Sequence, residues 1–201
     1  MGTRGSLGFI RNGQHKVTYN HFDSYPSELG KNVIEYLENR NRDSALLNAD
    51  FDAIQMVDEN DKPTTVQKQL CKDAGWYDGN VATQSDEDWY CLLRKAQGLL
   101  GAYSEVGFMA EGRSFLEDSL FCEYAYIVNL DTSQLEFYVG FEKGELNGRY
   151  ADVKRTEQGY GGANLIGEFP LKTVELFDIE QAEQSNTNGV NMALPILEME
   201  D

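Results

Sequence analysis

The stretch YNHFDSYPSELG, residues 19–30, puts two tyrosines, an asparagine, a histidine, an aspartate and a serine into its first seven positions. Histidine titrates near neutrality, and an aspartate two places on along a continuing strand shares its side of the chain. A carboxylate beside an imidazole sets its tautomer and raises its pKa, which makes His21 a candidate general base with Asp23 as its orienter. Arg4, at the start of the preceding β-prone run, can lie across from residues 20–23 and offer a planar donor fork to a carboxylate or phosphate. The candidate catalytic residues are therefore His21 and Asp23. The candidate ligand-binding set is Arg4, Tyr19, Asn20, His21, Asp23 and Tyr25. A purely structural reading competes with both. Asp23-Ser24 before Tyr25-Pro26 suits a strand-to-helix turn, where short polar side chains bond backbone donors. Arg4 and Asp23 would then be an ion pair and nothing more.

The elements that must position these residues begin with a hairpin. Residues 6–11 and 16–22 are β-prone, and Asn12-Gly13 between them is a strong turn signal. Pro26 ends the second run, and Ser27 can cap a helix whose Leu29, Val33, Ile34 and Leu37 recur at helical spacing. A short helix is expected from Ser44 to Val57, and another from Thr65 to a stop at Gly75. A longer helix is expected over about 86–104, with Ser85 and Asp88 as a capping box. Its apolar stripe is Trp89, Leu92, Leu93, Ala96, Leu99, Leu100 and Tyr103.

The runs FCEYAYIVNL and QLEFYVGF, joined by DTS, alternate as an antiparallel hairpin. Residues 146–153 and 164–169 are expected as edge strands, and 171–177 as one more. GYGGANLIG fits neither a Walker loop nor a dinucleotide fingerprint and reads as a flexible loop. The stretch EQSNTNG reads as a linker. The order predicts an α+β fold, antiparallel sheet with helices packed on a face, in a single domain over 1–178. An acidic, loosely held C-terminal segment is expected over 179–201.

Charge narrows the partners. The net charge is −17, from 34 acids against 17 bases, which disfavours nucleic acid and anionic membranes, since both need a basic face. Acidity alone allows a DNA mimic that occupies a DNA-binding protein. No apolar run is long enough to span a membrane, and no apolar leader opens the chain, so a cytoplasmic location is expected. Cys71, Cys91 and Cys122 are odd in number and lack a CxxC pair, and there are only 2 histidines. Buried free thiols are the expectation, with neither a metal nor a cofactor. The acids near Asp58 and Asp61 do not reproduce a calcium loop.

The opening MGTRGSLGFIRNGQHKVTYNHFDSYPSELG resembles a family of uncharacterised phage, bacterial and fungal proteins that share the TRG and YNHxDSYP elements. That likeness covers about thirty residues and, more loosely, the second hairpin; it implies no activity. More distantly, the chain is similar to N-terminal nucleophile hydrolases, where Asn20 and Asp23 match part of a motif after the first hairpin. The resemblance implies an αββα sandwich. Those enzymes use the free α-amine as base, so the nucleophile must be the first mature residue, and here position 2 is Gly2. The expected function is a small-ligand-binding accessory protein with its pocket at the N-terminal hairpin. The phage likeness implies counter-defence by sequestering a nucleotide-derived signal. The alternatives are a hydrolase using His21 and Asp23, or an acidic inhibitor of a host protein.

Overall fold

Gly5–Arg11 (β1) and Gln14–Asn20 (β2) form an antiparallel hairpin that pairs Gly5 with Asn20 and Arg11 with Gln14. Asn12 (φ 50°) and Gly13 (φ 72°) take the left-handed conformation that a two-residue turn of this hand requires. The computed structural model describes residues 2–81 and 83–187. Past the hairpin, Pro26–Gly30 make a wide π-type turn that feeds directly into Lys31–Asn39 (α1). Leu29, Val33, Ile34 and Leu37 are buried, as their spacing predicts, but Ser27 is exposed and caps nothing.

Asp43 caps Ser44–Ala53 (α2), its carboxylate accepting from the amides of Ala45 (2.8 Å) and Leu46 (3.1 Å). This helix stops short of the expected Val57, because Gln55–Val57 become a strand (β3). Thr65–Asp73 (α3) opens on a capping box between Thr64 and Gln67. The continuous helix expected over 86–104 is instead broken into Trp89–Leu92 (α4), a 3-10 turn over Arg94–Ala96, and Leu100–Val106 (α5). Gly98, at φ 81°, turns the backbone left-handed between them. The apolar stripe still buries Trp89, Leu92, Leu93, Ala96, Leu100 and Tyr103, so periodicity reported burial correctly and continuity wrongly. Leu99, at the break, is left exposed.

Phe108–Ala110 (β4) pairs with β3 in parallel. Tyr124–Asn129 (β5) and Gln134–Val139 (β6) form the second hairpin, and Asn164–Pro170 (β7) adds an edge. The main sheet runs β2-β1-β5-β6-β7. It is mixed rather than wholly antiparallel, because β5 returns beside β1 in the same direction after the helical crossover. The fold is α+β.

Both faces of this sheet are covered. Leu7, Phe9, Tyr126, Val128, Leu135 and Phe137 pack under the helices with Leu37, Phe51 and Tyr103. Ile10, Val17, Ala125, Ile127 and Tyr138 face the other way, against Leu116, Cys122, Tyr150 and Ala163. Residues 146–153, expected as a strand, are turns that help cover this second face. A second full sheet would stand there in an αββα sandwich; among the described residues the second sheet is β3 with β4.

The 171–177 stretch, expected as a strand, is a turn that leads into Leu176–Thr187 (α6). Ile179 is fully buried in the main core, and Tyr124 donates to Glu183, so the boundary expected after 178 falls inside a packed helix. Residues 183–187 of the expected linker are helical too. The rest of the expected tail lies outside the described residues. Among the described residues no helix is long and apolar enough to cross a membrane.

Candidate functional site

Strand alternation ends with β2 at Asn20, and this decides how the opening stretch is arranged. Asp23 sits at φ 49° in a left-handed turn, where its carbonyl accepts from the Leu29 amide at 3.2 Å. Asn20 Nδ2 donates to Ser24 Oγ at 2.9 Å and to the Phe22 carbonyl. The Ser24 amide reaches the Thr3 carbonyl (3.2 Å), and its own carbonyl accepts from the Tyr126 hydroxyl (3.1 Å). Asn20 and Ser24 are buried. Much of the stretch is thus a bonded turn that fixes strand to helix.

The imidazole of His21 is left with a different partner from the one expected. Its Nδ1 lies 2.8 Å from the Tyr19 hydroxyl, on the same side of the strand, and Asp23 makes no bond to it. The turn at residue 23 breaks the strand geometry that would have brought the carboxylate alongside. Burial pulls the His21 pKa below its ordinary value, and the Arg94 and Arg4 guanidiniums add to this. Burial also pushes the Tyr19 phenol up, so its hydroxyl stays protonated beside Nδ1. Where that hydroxyl donates to Nδ1, the neutral imidazole carries its proton on Nε2.

Around His21 the chain gathers rings and guanidiniums. The ring centroid of Phe22 is 4.3 Å from the imidazole and that of Tyr90 is 5.9 Å. The Arg94 guanidinium carbon stands 4.5 Å over the Phe22 ring and 5.2 Å over Tyr90. Arg94 Nη1 donates to the Tyr90 hydroxyl (3.0 Å) and to Gln97 Oε1 (2.7 Å), which also accepts from the His21 amide (3.3 Å). Arg4 lies 4.8 Å over the ring of Phe121.

A cleft of about 340 Å³ opens beside Phe22. Asn20, Phe22 and Asp23 line it from the hairpin end, Leu29 and Asn32 from the turn and α1, and Arg94, Lys95, Gln97 and Gly98 from the broken helix. Of the candidates named from sequence, Asn20 and Asp23 face this cleft. Tyr19, His21 and Arg4 form the neighbouring cluster, and Arg94 belongs to both. Tyr25 goes elsewhere: it is exposed, with its ring 5.9 Å from Tyr124.

Sequence reasoning missed Asn32, Arg94, Lys95, Gln97 and Gly98. A glycine inside an otherwise helical pattern was the available signal. Among the described residues no three His, Cys, Asp or Glu side chains gather as a metal site would require. No family model, curated protein or solved structure matches the chain.

Proposed function

We propose that the protein binds a small, polar, ring-bearing molecule of nucleoside size in the cleft between the end of β2 and residues 94–98. The observation that carries this is the cleft floor at Gly98. A Cβ there would stand 3.4 Å from Asn20 Oδ1 and 3.6 Å from Asn32 Nδ2, so the absent side chain leaves a carboxamide acceptor and a carboxamide donor flanking open space. Asn20 spends its amide nitrogen on the turn, so its oxygen is left to accept. Such a donor-acceptor couple matches the edge of a nucleobase or a similar amide ring.

The rest of the lining agrees with that class. Phe22, half exposed at the rim, presents a face for stacking. Asp23 and Glu28 can accept from sugar hydroxyls, and Lys95 and Asp78 add one charge of each sign. The volume falls within the usual range for small-molecule pockets, about 300–1,000 Å³. The N-terminal likeness to phage proteins suggests the biological setting: an accessory protein that holds a nucleotide-derived signal in the cytoplasm without changing it. The hydrolase reading is weaker, since Asp23 does not orient His21.

Titration calorimetry and thermal shift with nucleosides, mononucleotides, cyclic dinucleotides and free amino acids test this. A base-bearing compound is expected to raise the melting temperature by mass action. Asn32→Ala, on the exposed side of α1, should weaken it about tenfold, the loss of one to two hydrogen bonds. Equal affinity in Asn32→Ala, or no stabilisation by any base-bearing compound, overturns the proposal.

A further inference from the structure

The geometry points to an oxyanion subsite beside the cleft, formed by Arg4, His21 and Arg94, that takes a phosphate group of the bound molecule. This rests on the cleft as the seat of the ring, and it deepens that reading by naming the second chemical group of the ligand.

Three positions converge by separate routes. Arg4 directly precedes the first pair of the hairpin, Gly5 with Asn20, and its charge acts on both Tyr19 and His21. Tyr19 is held beside His21 by the contact between its hydroxyl and Nδ1. Arg94 arrives from the broken helix and shares both the Phe22 and the Tyr90 rings with His21.

None of the three groups is spent on a carboxylate side chain among the described residues. Among the described residues neither Arg4 nor Arg94 has a carboxylate within ion-pair distance, whereas Arg11, Arg40, Arg42 and Arg149 all do. Arg4 and Arg94 lie over rings instead; Arg94 Nη1 donates to Tyr90 and Gln97, which leaves its Nη2 and Nε donors and the Arg4 fork for an anion. With Nδ1 taken by Tyr19, Nε2 is the ring nitrogen of His21 that remains, and in the imidazolium it donates. The groups facing His21 are Tyr19 from its own strand, Arg4 from β1, and Tyr90, Arg94 and Gln97 from the broken helix. None of them is a carboxylate. In a chain of net charge −17 this is a local concentration of positive charge.

The same net charge selects the size of the anion. A phosphate of one or two charges feels mainly the nearby guanidiniums, because fields from acids beyond about 8 Å are screened at physiological salt. A nucleic-acid strand would extend its charges over the acidic surface and be repelled. The subsite is therefore assigned to a small phosphorylated molecule.

The test compares a nucleoside with its 5′-monophosphate, and inorganic pyrophosphate alone, on the full chain, with histidine side-chain NMR as a second readout. The phosphorylated form is expected to bind at least tenfold more tightly than the nucleoside, about what one charge-assisted hydrogen bond contributes. Arg4→Gln and His21→Gln should each erase most of that difference while the nucleoside binds as before. Lys172→Gln, an exposed lysine elsewhere, should change nothing. Pyrophosphate should shift the His21 Nε2 resonance and raise its titration midpoint. Equal affinity for nucleoside and monophosphate overturns the subsite and leaves the cleft intact. Pyrophosphate binding at His21 with no preference for a base supports the subsite and overturns the cleft. Tighter binding of a single-stranded oligonucleotide than of the monophosphate overturns the assignment to a small molecule.

Discussion

The Tyr19 hydroxyl stands 2.8 Å from Nδ1 of His21, and two guanidiniums rather than a carboxylate act on the same ring. Burial lowers the pKa of the imidazole from 6.5, and Arg94 and Arg4 lower it further. The unfolded chain then holds this proton where the folded chain does not, so stability rises with pH through the window just below the unfolded value. The NMR titration midpoint of His21 is expected below 6.5, and Arg4→Gln should move it upward. A midpoint at or above the ordinary value would mean that an anionic partner, not the arginines, dominates the ring.

Gly98 and Gly75 form a matched pair. Both are left-handed, at φ 81° and φ 82°, so alanine costs each about 1–2 kcal/mol of backbone strain. Their surroundings differ. A Cβ at Gly75 meets nothing within 4 Å, whereas one at Gly98 enters the space between Asn20 and Asn32. Both variants should lose comparable stability in urea denaturation, and only Gly98→Ala should also lose ligand binding. If Gly75→Ala loses binding equally, the effect is global softening and not occupation of the cleft.

Local chemistry was the legible part of this fold. Asn12-Gly13, the alternation of residues 124–128 and the helical spacing of Leu29 to Leu37 each express contacts a few residues apart, and the corresponding elements are present. The parallel pairing of β1 with β5 was not legible, because it joins segments more than a hundred residues apart through backbone bonds that carry no side-chain signature. The site divides along the same line. His21, Asn20 and Arg4 stood out because they are dense in sequence or adjacent through one hairpin. Arg94, Gln97 and Asn32 reach them only through tertiary packing. The expected His21–Asp23 pair failed on one backbone angle, the positive φ of Asp23, which alternation cannot foresee.

The three cysteines are free and buried. Burial pushes the Cys71 thiol up to about 11 and the Cys122 thiol to about 12, so almost no thiolate exists near neutral pH. In native protein no thiol should react with a disulfide reagent on a minutes timescale, and three equivalents should react after denaturation. A fast native equivalent would locate an opening of the sheet face around Cys122, of the core under α3 at Cys71, or of α4 at Cys91.

Glu136 is 2 % exposed on the sheet face away from the helices, and it stays ionised because of what surrounds it. Burial pushes its carboxyl up, but Arg149, Tyr138 and Asn129 outweigh this and hold it below the usual carboxylate range. Arg149 pairs with both oxygens, the Tyr138 hydroxyl donates to Oε2 at 2.6 Å, and Asn129 Nδ2 donates to Oε1 at 2.6 Å. Arg149→Met strands a buried carboxylate between two neutral donors and should cost about 3 kcal/mol, the lower end for breaking a buried pair, since the arginine is partly exposed. The double variant Glu136→Leu with Arg149→Met should recover most of that loss, because no charge is left to solvate. The pH dependence separates the two. A depressed carboxyl stabilises the fold above its unfolded value near 4.5, and that contribution disappears as pH falls through the folded value. Without Arg149, burial raises the carboxyl instead, so Glu136 protonates early and the deficit of the single variant shrinks on acidification. Urea denaturation of wild type and both variants between about pH 7 and about pH 4 reads this directly. A deficit in Arg149→Met that stays constant across that range would show that the arginine acts through packing alone and not through the charge of Glu136.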